Sequence, residues 1–150
     1  GIPGGAMEEG EAVTKDYSKL NTYEMLQKGS RVAIVALGTF LGLGKEVAAN
    51  LEKKTGTVAT VINPVYYSGI DTGMLESLKA DHDVVITIED GILDGGFGEK
   101  ITRFYGNSNM KVLNFGLKKE FLDRYDVQEV LTDNHLTKDQ IVADITEVLA

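Results

Sequence analysis

The feature that most constrains this chain is a pair of uncharged runs, Val32-Ala33-Ile34-Val35-Ala36-Leu37 and Val84-Val85-Ile86-Thr87-Ile88, apolar but for Thr87 and separated by segments of helical period. A strand with one wet face alternates polar and apolar residues. Neither run does so, and both are predicted to lie in the middle of a parallel sheet with each face covered. The intervening residues agree. Leu43, Val47, Ala48 and Leu51 form one helical stripe, with Lys45, Glu46, Asn50 and Lys53 on the opposite side and Gly56 as the stop. Thr57 to Ile62 is β-branched enough for a further strand, ended by Asn63-Pro64. Asp71 is placed to cap a short helix that buries Met74, Leu75 and Leu78. Phe97, Ile101, Phe104 and Tyr105 share a helical face. Lys111 to Phe115 reads as a fourth strand, with helical turns over 118–125 and 128–131. Thr137 and Gln140 mark the start of a last helix carrying Ile141, Val142, Ile145, Val148 and Leu149. Before all of these, a polar stretch feeds a short edge strand near Tyr23 to Leu26.

The chain has 150 residues, one domain's worth, and its 43% apolar and 25% charged composition is that of an ordinary globular protein. Its 15 Lys and Arg against 23 Asp and Glu leave a formal charge of −8, which opposes a nucleic-acid partner. Without cysteine there is no disulfide, thiolate metal site or cysteine nucleophile. The longest uncharged apolar stretch, Val32 to Gly44, falls short of the roughly 20 residues of a membrane-spanning helix. No membrane association is expected.

Two stretches resemble phosphate-binding loops. Thr39 to Glu46 offers Gly44-Lys45 at a helix start but has Thr39 where a P-loop needs glycine, and Glu46 where it needs Ser or Thr. As a dinucleotide fingerprint it has Val47 at the third glycine. Gly91 to Gly98 follows a central strand at its carboxyl end, where open α/β sheets bind ligands, yet Glu89, Asp90 and Asp94 oppose an anion there. The glycines are read first as a tight turn over the sheet edge. Glu89 and Asp90 are read as a solvated strand end before an acid/base pair or cation site. His82 and His135 lie far apart in polar loops and are expected in solvent. A phosphoacceptor domain would need acidic residues where Ala36-Leu37-Gly38 stands.

The segments from about Lys28 to Ala150 resemble the carboxyl-terminal domain of the transketolase-like, thiamine-diphosphate-dependent enzymes. The carrying stretches are Gly29 to Thr39, Val84 to Glu89, Gly95-Gly96-Phe97-Gly98, Val112-Leu113-Asn114-Phe115-Gly116-Leu117 and Leu136-Thr137. The strand ending in Glu89 before the glycine turn is the most diagnostic. The Val112 to Leu117 segment leans toward the 1-deoxy-D-xylulose-5-phosphate synthases within the group. That resemblance implies a three-layer α/β/α sandwich with a five-stranded, mostly parallel sheet and one antiparallel edge strand. It implies that residues 1–27 are a linker and edge segment from a preceding domain and that 28–150 form the domain proper.

The same resemblance implies a cytoplasmic homodimer in which thiamine diphosphate and magnesium are held by upstream domains of the same chain. The family's diphosphate motif, Gly-Asp-Gly with a downstream Asn-Asn, is absent, so no cofactor-binding, metal or catalytic residue is expected in this piece, and the piece alone is expected to be inactive. Glu89, Gly95, Gly96 and Gly98 are carried as loop or interface residues. Phe40, Tyr66 and Tyr67 are further candidates for a partner-facing surface. Asn63-Pro64 is followed by Val65 to Ile70 before Asp71, longer than the synthases' Lys-Pro-Leu-Asp turn, which leaves open a paralogue with different substrates. The alternative is a freestanding nucleotide or regulatory ligand module using the Gly91 to Gly98 loop.

Overall fold

A computed structural model of the chain describes residues 22–64, 69–89, 96–116 and 137–150. Five strands form one sheet: β1 (Glu24–Gln27), β2 (Arg31–Ala36), β3 (Thr60–Asn63), β4 (His82–Glu89) and β5 (Lys111–Gly116). Their spatial order is β1-β3-β2-β4-β5, with β1 antiparallel to β3 and the other pairings parallel. This is the mixed sheet expected, with its antiparallel member at the edge. The helices are α1 (Leu41–Thr55), α2 (Thr72–Leu78), α3 (Phe97–Phe104) and α4 (Lys138–Leu149).

The absence of alternation in β2 and β4 has the anticipated cause. Val32, Ile34 and Ala36 join Val84, Ile86 and Ile88 in a core closed by Val47, Ala48 and Leu51 of α1 and Ile141, Val142 and Ile145 of α4. Ala33, Val35 and Val85 face the other way, under Leu75 and Leu78 of α2 and Phe97 and Ile101 of α3. Each such aliphatic side chain withdrawn from water contributes about 1.5–3 kcal/mol before the entropy of ordering is counted. Phe40 is half-buried and packs on the first of these cores. Tyr66, Tyr67 and the helical turns expected over 118–125 and 128–131 lie outside the described residues.

Glycine spaces the layers where helix and sheet press together. A Cβ on Gly44 would stand 2.9 Å from Ala36 Cβ, so this residue, counted above toward a failed nucleotide motif, lets α1 sit down on β2. Gly56 ends α1 in the left-handed conformation, φ 79°. Asp71 caps α2 by accepting from the Met74 N–H (3.0 Å), and its other oxygen accepts from the Tyr23 N–H (2.8 Å). One carboxylate thus ties the helix to the chain entering β1. Thr137 accepts from the Gln140 N–H (3.3 Å) and donates to Gln140 Oε1 (2.8 Å) at the start of α4.

Candidate functional site

The carboxyl end of β4 gathers the residues singled out in the sequence. Glu89 is the last residue of the strand and only 8% exposed. The expectation of a solvated strand end is therefore corrected at this position. The reason lies in α3. Gly96, its N-cap, has no side chain with which to satisfy the helix's first amides, and Glu89 Oε2 reaches across from the strand to accept the Gly98 N–H at 2.8 Å. A carboxylate at the positive end of a helix is stabilised by the aligned peptide dipoles as well as by the bond. The missing local cap, Gly where Ser or Asp is common, was the available signal that a distant acceptor must supply it.

The glycines of the turn do different jobs. Gly96 takes φ 119°, and a Cβ there would meet nothing within 4 Å, so its requirement is conformational. Gly98 is needed for space: a Cβ would lie 2.7 Å from Asn114 Oδ1 and 2.9 Å from Glu89 Oε2. Gly116, opposite Glu89 in the β4–β5 pairing, is also close-packed, since a Cβ on it would meet the Glu89 carbonyl oxygen at 2.9 Å. Gly95 and Asp90 lie outside the described residues.

Around this contact runs a directional network. Thr87 donates to Asn114 Oδ1 (2.6 Å), Asn114 Nδ2 donates to Thr102 Oγ1 (2.9 Å), and Thr102 donates to the Gly98 carbonyl (2.9 Å). The two stretches that lean most on the family resemblance, the strand with its glycine turn and the Asn114 segment, therefore touch one another in space. None of these groups pairs a nucleophile with a base. The arrangement fixes the corner between β4, α3 and β5, and the chemistry it offers is positional.

The opposite end of β4 holds the second polar cluster. His82, expected in solvent, has a side chain with 0% exposure, a correction that follows from its partners. Its Nε2 lies 2.8 Å from Thr60 Oγ1, and its Nδ1 lies 2.7 Å from Asp81 Oδ1 and 3.2 Å from the Leu78 carbonyl. The hydrogen bond from His82 holds the Asp81 carboxyl below the usual carboxylate range, helped by the charge of Lys28. Periodicity could not reveal this, because His82 follows the turn Lys79 to Asp81 and reads locally as loop. His135 lies outside the described residues.

Thiamine diphosphate needs a metal-bound diphosphate and an acidic partner for its ring, and the described residues at the carboxyl end of β4 do not fit it. Among the described residues no three His, Asp or Glu side chains converge as metal ligands, and the Glu89 oxygen nearest α3 is engaged by Gly98. No helix among the described residues is long and apolar enough to cross a membrane.

With this geometry in view, comparison with known proteins is specific. The family described as transketolase, C-terminal domain, matches residues 21–141. The 1-deoxy-D-xylulose-5-phosphate synthase of Vibrio campbellii is 32% identical over 145 residues, 94% of this chain and 22% of that protein. That of Carboxydothermus hydrogenoformans is 29% identical over 150 residues, 99% of this chain and 24% of that protein. The chain thus spans about a quarter or less of the length of these curated relatives. Among solved structures, a split-gene transketolase described as an inactive β4 tetramer superposes with TM-score 0.73 at 26% identity, over 85% of this chain and 42% of that one. The Campylobacter jejuni transketolase shares the fold, with TM-score 0.60 at 19% identity over 85% of this chain and 19% of that one.

Proposed function

We propose, from the premise that the chain belongs to the transketolase C-terminal domain family, that it is the accessory, subunit-contact domain of a 1-deoxy-D-xylulose-5-phosphate synthase. The whole protein would condense pyruvate with glyceraldehyde 3-phosphate to 1-deoxy-D-xylulose 5-phosphate, a precursor for isoprenoid and thiamine biosynthesis, as a cytoplasmic homodimer. Residues 1–27 would link this domain to upstream domains of the same chain, which hold thiamine diphosphate and magnesium. That coenzyme supplies an electron sink for the two-carbon unit when bound. The contribution of the present residues is to pack, orient and meet a neighbour. Glu89, Gly96 and Gly98 fix the corner between β4 and α3, and with Gly95 they are carried as residues of the contact surface.

The observation that carries this reading is the extent of the match to the Vibrio campbellii synthase: 94% of this chain against 22% of that relative. Two measurements test it. Calorimetry of the 150-residue chain with thiamine diphosphate and magnesium should give no saturable heat at micromolar cofactor. The protein encoded together with its upstream sequence should form 1-deoxy-D-xylulose 5-phosphate. Cofactor binding or pyruvate turnover by the 150-residue chain alone would overturn the accessory role.

A further inference from the structure

The amino-terminal end of the sheet carries a hydrogen-bonded chain that the proposed function does not use. The Gly29 N–H donates to Thr60 Oγ1 (2.9 Å), Thr60 Oγ1 meets His82 Nε2 (2.8 Å), and His82 Nδ1 meets Asp81 Oδ1 (2.7 Å). The second neighbour of Nδ1 is the Leu78 carbonyl. A carboxylate and a carbonyl only accept, so Nδ1 carries a proton whether the ring is neutral or charged. Thr60 Oγ1 already accepts from Gly29, and a neutral ring lets its hydroxyl proton point at Nε2. Every donor then has an acceptor, from the Gly29 amide through to Asp81.

A second ring proton can sit only on Nε2. It would turn the Thr60 hydroxyl from donor to acceptor on that side, leaving the hydroxyl's own proton to find another acceptor at a residue with 0% exposure. The surrounding charges are mixed. Asp81 favours a charged ring but is half exposed, with its other oxygen 3.5 Å from Lys28 Nζ. Asp83 pairs with Arg31, and Lys79 of α2 pairs with Glu76. Lys79 lines a cleft with His82 and Asp83, and Lys111 of β5 lines another with Arg31 and Asp83.

The corner held by this chain is under tension. Arg31 adopts φ 69°, a conformation non-glycine residues avoid, and the β2–β4 register shifts between Arg31 and Val32. Its N–H is tied to the Asp81 carbonyl (2.8 Å), and the Ser30 N–H is tied to the Val58 carbonyl (2.9 Å). Gly29 is packed so tightly that a Cβ would fall 1.8 Å from the Val58 oxygen. We propose that His82, neutral with its proton on Nδ1, is a latch pinning the Gly29–Arg31 corner to the sheet, and that protonation of Nε2 releases it. The corner joins the antiparallel edge strand β1 to the central strand β2.

The test uses the 150-residue chain labelled with ¹⁵N and carrying His135→Gln, which leaves His82 as the sole imidazole. Long-range ¹H–¹⁵N spectra at neutral pH should show Nδ1 protonated and Nε2 bare. As pH falls from about 8 to about 5, the range in which imidazoles titrate, hydrogen exchange normalised to intrinsic rates should show Gly29 losing about tenfold in protection. That loss should share its midpoint with proton uptake at Nε2, while Ile34 stays protected. Thr60→Ser should keep this coupling and Thr60→Val should abolish it. A neutral ring protonated on Nε2, an imidazolium at neutral pH, or Gly29 protection unchanged as the ring titrates would each overturn the latch. The parent chain and Thr60→Ser suffice for that decision if Thr60→Val does not fold.

Discussion

Replacing Gly98 by alanine tests whether the corner at the carboxyl end of β4 is as tightly built as its contacts indicate. In an unobstructed helix the change would gain about 0.5–1 kcal/mol, because alanine loses less backbone entropy than glycine. Here the new methyl would lie 2.7 Å from Asn114 Oδ1, 2.8 Å from Asn114 Cγ and 2.9 Å from Glu89 Oε2, all inside contact distance. Asn114 is exposed and can swing away, at the loss of its bonds to Thr87 and Thr102. Each neutral bond of this kind is worth about 1 kcal/mol. Glu89 is buried and cannot leave so cheaply, since retreat from the Gly98 N–H breaks a bond to a charged group worth about 1.5–3 kcal/mol. The sum less the propensity gain is a destabilisation of about 2.5–4.5 kcal/mol, or roughly 5–18 °C in Tm for a chain of this size. Urea unfolding followed by circular dichroism reads it directly, and an unchanged m-value would place the effect in the folded state. Gly42→Ala is the control, because its Cβ meets nothing within 4 Å near the start of α1. It should raise stability by about 0.5–1 kcal/mol. If Gly98→Ala shifts the midpoint upward in step with Gly42→Ala, the close-packed corner does not exist.

Gly29→Ala should prevent folding or cost more than about 4 kcal/mol, because the obstruction is the Val58 backbone rather than a movable side chain; a cooperative unfolding curve near that of the parent would refute this. Asp71→Ala removes both the α2 cap and the tether to the Tyr23 N–H and should cost about 2–4 kcal/mol in urea unfolding, with Asp71→Asn retaining part of the cap. Tyr105→Phe strands the buried Leu75 carbonyl that its hydroxyl meets at 2.6 Å, and a loss of about 1–3 kcal/mol is expected by thermal melting. Burial pushes the Tyr23 and Tyr105 phenols above the ordinary tyrosine range. A phenol raised in the folded state contributes stability that is fully present below the unfolded value of about 10 and is lost as pH rises toward the folded one. Spectrophotometric titration should therefore find Tyr23 and Tyr105 ionising only with alkaline unfolding.

The layers were legible because burial leaves a periodic record. β2 and β4 lacked alternation for the reason that both faces are covered, the α1 stripe fell on the sheet, and Asp71 and Thr137 were found as caps from local spacing alone. The polar residues of the two sheet ends were not legible. Glu89 stands in an acidic pair that reads as a wet strand end, and its Oε2 accepts the amide of a residue nine positions on. His82 depends on Thr60, 22 residues away, and on Gly29 behind it. Such pairings arise from parallel crossovers that bring remote strand ends together, and no helical or strand period encodes them.

The same long-range pairing bears on the alternative of a ligand module at the Gly91 to Gly98 loop. A helix start binds phosphate when its first amides are free to point at the ligand and no other anion has taken the positive end. In α3 the Gly98 N–H already meets Glu89, and the carboxylate brings a full negative charge to that end of the helix. An incoming phosphate would face repulsion from Glu89 and would have to displace it, stranding a buried carboxylate. The glycine at 98 is accounted for by room for Asn114 and Glu89, and the glycine at 96 by φ, without any ligand. Of the glycine-rich stretch behind this central strand, Gly96 and Gly98 thus have their explanation in the packing of β4, α3 and β5.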